Sequence, residues 1–433
     1  MTIRFFSLAD ANVRWVVAGS ILLGATAGAL GSFAYLQRRS LLGDALAHSA
    51  LPGVGLAFLL VGEKDFMALL IGAAIAGWLG ALAVNAITRH SKLKQDAALG
   101  IVLTVFFGLG VVVLTHIQKT GAGSQAGLDS FLFGQAAALG ERDVILLSIV
   151  AVVLLSMVAL GFRSFTLLSF DPGFARSIGL PVRVLQFVLT TMIVLAVTIG
   201  LQAVGVVLIA ALLITPAAAA RQWTDKLSTM VILAALFGAL SGLLGGWVSF
   251  LAPRMPTGPW VVVVISVVFA VSILFAPKRG VISRLRRHLR NRGKVAQEHI
   301  LKAMFKSGYP ERDWSGYQHV SDIDSMWSFS FREMARGLRR LEKRGLLERS
   351  DGSYRLTEDG VVEGARVIRR HRLWELYLTR YLELPGDHVH RDADDIEHIL
   401  TPEMEAQLEE LLEHPEYDPH HQEIPRIGRE ASQ

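Results

Sequence analysis

The chain has 433 residues, 52% of them hydrophobic and 19% charged, with a formal net charge of +5. It contains no cysteine, which excludes disulfides, thiolate metal sites and cysteine nucleophiles. These averages join two unlike halves, apolar runs with short polar loops up to about Pro277 and a charged sequence from Lys278 onward, so a membrane domain followed by a soluble one is expected.

A helix needs about 20 apolar residues to cross the hydrocarbon core. Runs of that kind fall at roughly 14–37, 44–62, 66–88, 98–118, 143–162, 183–201, 204–221, 228–251 and 258–277. The first, from Trp15, lacks the small-residue cleavage site that ends a signal peptide and is expected to stay as an anchor. Glycine and other small residues recur in GSILLGATAGALGSFAYL and LIGAAIAGWLGALAV, the composition of closely packed helices in lipid. The expected fold is therefore an all-α polytopic membrane protein of about eight or nine transmembrane helices. Eight follows if the second segment, or one of the closely joined pair between 183 and 221, is re-entrant. Basic loops at Arg38–Arg39, Arg89–Lys94, Arg163–Arg183, Arg221–Lys226 and after Lys278 place the soluble half in the cytoplasm of a multi-pass plasma (inner) membrane protein.

From the end of the first run well into the second extends RRSLLGDALAHSALPGVGLAF, residues 38–58. Asp44 and His48 are four apart and share a helical face. A carboxylate and an imidazole make a partial shell for a divalent transition metal, and ionisable groups at membrane depth are functional candidates by default. The bland alternative is that Asp44 caps its helix after Gly43 and His48 is a satisfied core residue. Farther on, RSFTLLSFDPGFARSIGLPVR spaces Asp171, Ala175 and Gly179 by four. That spacing suits either a short docking helix with a small-residue face or an ordinary interfacial helix. Pro216, inside ALLITPAAAARQW, is expected to kink or end its helix.

The motifs GDALAHSALPGVGLAF, KLKQDAALGIVLTVFFGLGVVVL, GLDSFLFGQ, DPGFARSIGLP and LLITPAAAA occur in order. Together, over residues 10–277, they resemble the ABC-type zinc/manganese/iron permease family. The resemblance implies a permease subunit that works with a second permease protomer, a cytoplasmic ABC ATPase and an extracytoplasmic metal-binding receptor protein. It implies that Asp44 and His48 line the translocation path and that Asp171, Ala175 and Gly179 lie where the ATPase couples. No GxxxxGK[ST] motif is present, so this chain is not expected to hydrolyse ATP itself.

The soluble half opens with KRGVISRLRRHLRNRGK, a basic linker over 278–295. Next to an apolar span it suits an anchor on anionic membrane lipid, with a nucleic-acid arm as the alternative. Residues 296–360 read as three helices and a hairpin around an Asp-Gly turn, the order of a winged helix-turn-helix. Arg332, Arg336, Arg339 and Arg340 on its third helix are candidate DNA contacts, or the solvated face of an interaction module.

Residues 361–425 carry a second set of metal-ligand types. His371 and Glu375 share a helical face, and a second helix after Pro385–Gly386 presents His390, Asp394, Glu397 and His398. Imidazoles and carboxylates without sulfur suit Mn²⁺, Fe²⁺ or Zn²⁺. RRHRLWELYL, LPGDHVHRDADDIEHIL and HPEYDPHHQEIP resemble metal-dependent repressors of the diphtheria-toxin and manganese type over roughly 296–425. That resemblance implies one metal site on His371, Glu375 and His390 and another on Asp394, Glu397 and His398, with Glu298 a further acidic candidate. This sequence departs from the pattern at Asp394, where glutamate or cysteine is usual, and at Leu301, where manganese-type members place a carboxylate. The domain is expected to bind metal and dimerise, leaving 426–433 as a tail. Two functional readings follow: an ATP-driven importer subunit for Mn²⁺, Zn²⁺ or Fe²⁺ with a cytoplasmic metal sensor, or a membrane-tethered, metal-responsive DNA-binding regulator.

Overall fold

The computed structural model describes residues 11–62, 65–119, 140–251, 255–308, 313–326, 331–382 and 401–425. They fall into two compact units, Met1–Arg284 and Leu285–Gln433.

Among its described residues the first unit contains helices joined by turns and no strand. Its helices are α1 (Ala11–Leu36), α2 (Leu42–Val61), α3 (Phe66–His90), α4 (Gln95–Lys119), α5 (Glu141–Phe170), α6 (Pro172–Ser177), α7 (Val182–Val204), α8 (Val206–Trp223), α9 (Leu227–Phe250) and α10 (Thr257–Phe275). Eight of these, α8 and the short α6 excepted, are identified among the described residues as long and apolar enough to cross a membrane; α8 is a further apolar helix of 18 residues.

Many apolar side chains on α3, α4, α5 and α9 are exposed, as a lipid-facing surface requires, whereas most of α2 is buried. α2 packs against α3, α4, α8 and α7, which puts the Asp44–His48 stretch in the middle of the bundle. Small residues make this possible. A Cβ on Gly24 of α1 would overlap the carbonyl of Gly238 on α9, and the reverse holds at Gly238. These backbones touch directly, an approach open only to glycine.

Pro216 lies inside α8, which continues through it. The break falls instead at Gly205, where a φ of +88° separates α7 from α8. On the side of the basic loops, Asp225 accepts hydrogen bonds from Lys278 Nζ at 3.1 Å and Arg279 Nη2 at 2.7 Å. The Lys278 hydrogen bond, with that of Arg279 and both positive charges, holds the Asp225 carboxyl below its usual range.

The second unit continues from α11 (Val281–Gly308) through α12 (Val320–Met326), α13 (Phe331–Lys343), β1 (Leu347–Ser350), β2 (Ser353–Leu356), α14 (Glu358–Tyr381) and α15 (Pro402–Leu411). The strands pair antiparallel with Leu347 opposite Leu356. Asp351 and Gly352 both take positive φ at the turn, as a two-residue hairpin with this twist requires. Ile300, Phe305, Ile323, Met334, Leu338, Leu341 and Leu356 form one core, and Phe305 stacks on Trp314. This is the expected winged helix-turn-helix. Its first helix is longer than the sequence pattern suggests, since the basic stretch from Val281 is helical too.

Candidate metal sites

Asp44 sits in the first turn of α2, and the N-cap residue is Leu41 with no side-chain capping bond. The carboxylate instead meets His48, whose Nε2 lies 3.3 Å from Asp44 Oδ1. The His48 Nδ1 is buried without a hydrogen-bond partner among the described residues. The ring packs edge-on against Phe107 of α4 at 4.9 Å, which fixes its plane. One turn of helix therefore carries a partly exposed carboxylate and a more enclosed imidazole, both with ligand capacity. Phe107 escaped the sequence reading because an apolar residue on an apolar helix carries no local signal.

The Asp171 to Gly179 segment is organised differently from a simple four-residue face. Asp171 caps α6, its Oδ1 accepting from the Phe174 N–H at 2.8 Å. Ala175 is fully buried and seats the helix on the bundle. Gly179 ends the turn with a φ of +84°. Each of the three shapes the element, and the large apolar side chains left exposed at it are Phe170, Phe174 and Ile178.

In the second unit His371 Nε2 and Glu375 Oε1 lie 2.8 Å apart on α14, both buried, with the Glu375 side chain only 1% exposed. A buried imidazole and carboxylate one turn apart are two ready ligands for a divalent ion. Glu298 is close to Arg370 Nη2 at 3.3 Å and Lys294 Nζ at 3.7 Å, so two cations compete for it. Leu301 is buried in the winged-helix core. His390, Asp394, Glu397 and His398 lie outside the described residues. Among the described residues, no three His, Asp or Glu side chains gather closely enough to share an ion.

Around this pair runs a network that sequence spacing does not reveal. Arg369, Arg370 and Arg372 of α14 are buried despite their charge. Arg369 pairs with Glu409 of α15, and Arg372 reaches Gln422, the Glu423 carbonyl and Asp418. Asp418 in turn accepts from the backbone of His420 and Gln422, shaping the HPEYDPHHQEIP turn. The run RRHR beside an acidic C-terminal segment was the available signal. Burial raises the Glu405 carboxyl above its usual range, and the Arg370, Arg366 and Arg369 charges only partly oppose it. Burial would also raise Glu409, but hydrogen bonds from Arg369 and His414 hold it below its usual range.

Met334, Leu338 and Leu341 bury one side of α13, and Arg332, Arg336, Arg339 and Arg340 are all exposed on the other. The four arginines thus form a solvent-facing basic stripe.

Residues 9–276 match the ABC 3 transport family. Residues 357–426 match the iron dependent repressor, metal binding and dimerisation domain. The manganese transport system membrane protein MntC of Bacillus subtilis (strain 168) is 42% identical over 409 residues, covering 94% of this chain and 93% of that protein. The zinc transport system membrane protein TroC of Treponema pallidum (strain Nichols) is 45% identical over 287 residues, 66% of this chain and 96% of its own length. Among solved structures, PsaBC from Streptococcus pneumoniae in complex with Fab is similar with a TM-score of 0.58 and 31% identity, covering 64% of this chain and 98% of that one.

Proposed function

We propose, for a chain that belongs to the ABC 3 transport family, that it is the permease subunit of an ATP-driven importer of divalent transition metal, with manganese the favoured cargo. The observation that carries this reading is the Asp44–His48 pair, a half-buried carboxylate and imidazole on the first turns of α2, a helix most of whose other residues are buried. Two ligands one turn apart leave most of the coordination shell to water or to further groups, which suits an ion that must be released again. The pair also lies next to the basic end of the bundle, where Arg38 and Arg39 mark the cytoplasmic side. Manganese and zinc are the metals named for two similar proteins. Neither oxygen nor nitrogen ligands exclude iron. Partners follow from the family: a separate ABC ATPase, a second permease protomer and an extracytoplasmic metal receptor.

The repressor-type domain is proposed to sense cytoplasmic metal and slow import as the pool fills. His371 and Glu375 would hold the ion, with His390, Asp394, Glu397 and His398 completing the shells. A divalent ion held there would add positive charge beside the buried Glu375 carboxylate and would require both side chains as unprotonated ligands. Manganese uptake by cells carrying His371→Ala or Glu375→Ala tests this. Uptake that no longer falls when the cells are preloaded with manganese is the expected result. Undiminished feedback in both variants would remove the sensing role while leaving the transport reading intact. The exposed stripe on α13 favours a second reading, a membrane-tethered DNA-binding regulator.

A further inference from the structure

The arginine stripe of α13 does not stand alone. A cleft of about 460 Å³ separates it from the N-terminal turns of α11 and is lined by Arg286, Arg290, Arg292, Arg336 and Arg340. Glu333 is the one carboxylate on its walls. Among the described residues, Arg286, Arg290, Arg292 and Arg340 have no carboxylate partner. Arg286 and Arg290 are one turn apart on α11, and Arg336 and Arg340 one turn apart on α13, so two guanidinium pairs face a common space. Guanidinium groups bind phosphate through paired N–H donors and tolerate partial burial better than ammonium groups. The volume lies within the range of small-molecule sites.

Two further observations choose among phosphate-bearing ligands. The DNA major groove is about 12 Å wide and admits one helix, itself about 10–12 Å across with its side chains. Here the turns of α11 from Arg286 to Gly293 stand beside the arginines of α13, so entry of α13 into a groove is obstructed. Second, α11 carries an apolar stripe at Val281, Leu285 and Leu289, exposed to 50%, 55% and 55%. Arginines flanking an exposed apolar stripe are the pattern of a helix lying in a membrane interface. Sequence continuity keeps it near one, because Arg286 follows the end of α10 at Phe275 by only eleven residues, a reach of at most about 40 Å.

We propose that this cleft binds the phosphate of an anionic phospholipid headgroup, so that the arginine face of the winged helix engages the membrane surface and not a DNA duplex. The proposal does not depend on which metal is carried or on whether the domain senses it.

Hydrogen–deuterium exchange on the full chain in nanodiscs tests it. Discs of phosphatidylcholine are compared with discs containing phosphatidylglycerol. Exchange over 284–296 and 332–343 is expected to slow several-fold in the anionic discs, since each arginine near such a surface contributes about fivefold. Arg286→Gln with Arg290→Gln, and separately Arg336→Gln with Arg340→Gln, are each expected to remove most of that protection while exchange in α14 stays unchanged. A variant that also loosens α14 is replaced by the corresponding Arg→Lys pair, which keeps the charge and is expected to retain part of the effect. Equal protection in neutral discs by millimolar inorganic phosphate would mean that a free anion is the ligand. Protection of the same segments by a DNA duplex, or none in anionic discs, would equally overturn the proposal.

Discussion

At the scale of single residues, the two histidine–carboxylate pairs were legible because their geometry is local. Asp44 with His48, and His371 with Glu375, are four residues apart, and any helix brings such residues together. What surrounds them was not legible, because it is tertiary. Phe107 reaches His48 from another helix, and Arg369 and Arg372 find their partners 40 and 46 residues along the chain, at Glu409 and Asp418. Two carboxyls of this second network titrate in opposite senses. Glu405, raised by burial, contributes stability that is present below the usual glutamate value of 4.5 and lost as pH rises through its raised value. Glu409, lowered, contributes stability that is present above 4.5 and lost as pH falls through its lowered value. Glu405→Gln is therefore expected to flatten the loss on the alkaline side. Glu409→Gln is expected to weaken the unit at neutral pH by about 1 kcal/mol and to have no effect at the acid end. Thermal unfolding of α14–α15, followed across pH, distinguishes the two.

At the scale of elements, apolar run length located the membrane helices well, because the bilayer sets a minimum that composition must meet. Ends were read less well wherever the cause is packing or a cap. α5 runs on to Phe170, eight residues past the apolar run, because Asp171 stops it there. α11 starts fifteen residues before the expected first helix of the winged fold, since arginine and leucine are good helix formers whatever their solvent. Pro216 is accommodated inside α8, and Gly205 makes the break. The contact between α1 and α9 is the element-level feature most open to test. Gly24→Leu must push the backbone of Gly238 away, with an expected cost of about 1–3 kcal/mol. A lower melting midpoint of the detergent-solubilised protein would register it, whereas Gly100→Leu, at a glycine with open space beside it, is expected to leave the midpoint unchanged.

At the scale of the whole molecule, a membrane bundle and a repressor-type domain share one chain, and each carries a histidine–carboxylate pair. The first pair is proposed to serve passage of the ion and the second its detection. Detection would be idle without passage, so the claim to test first is that Asp44 and His48 handle the cargo. The direct measurement is initial-rate manganese uptake, at matched membrane abundance, by cells whose only copy of the chain carries Asp44→Ala or His48→Ala. Loss of a ligand is expected to lower uptake by roughly 10- to 100-fold, with zinc and iron uptake tested in parallel to identify the cargo. Uptake of all three metals at the parental rate in both variants would contradict the account.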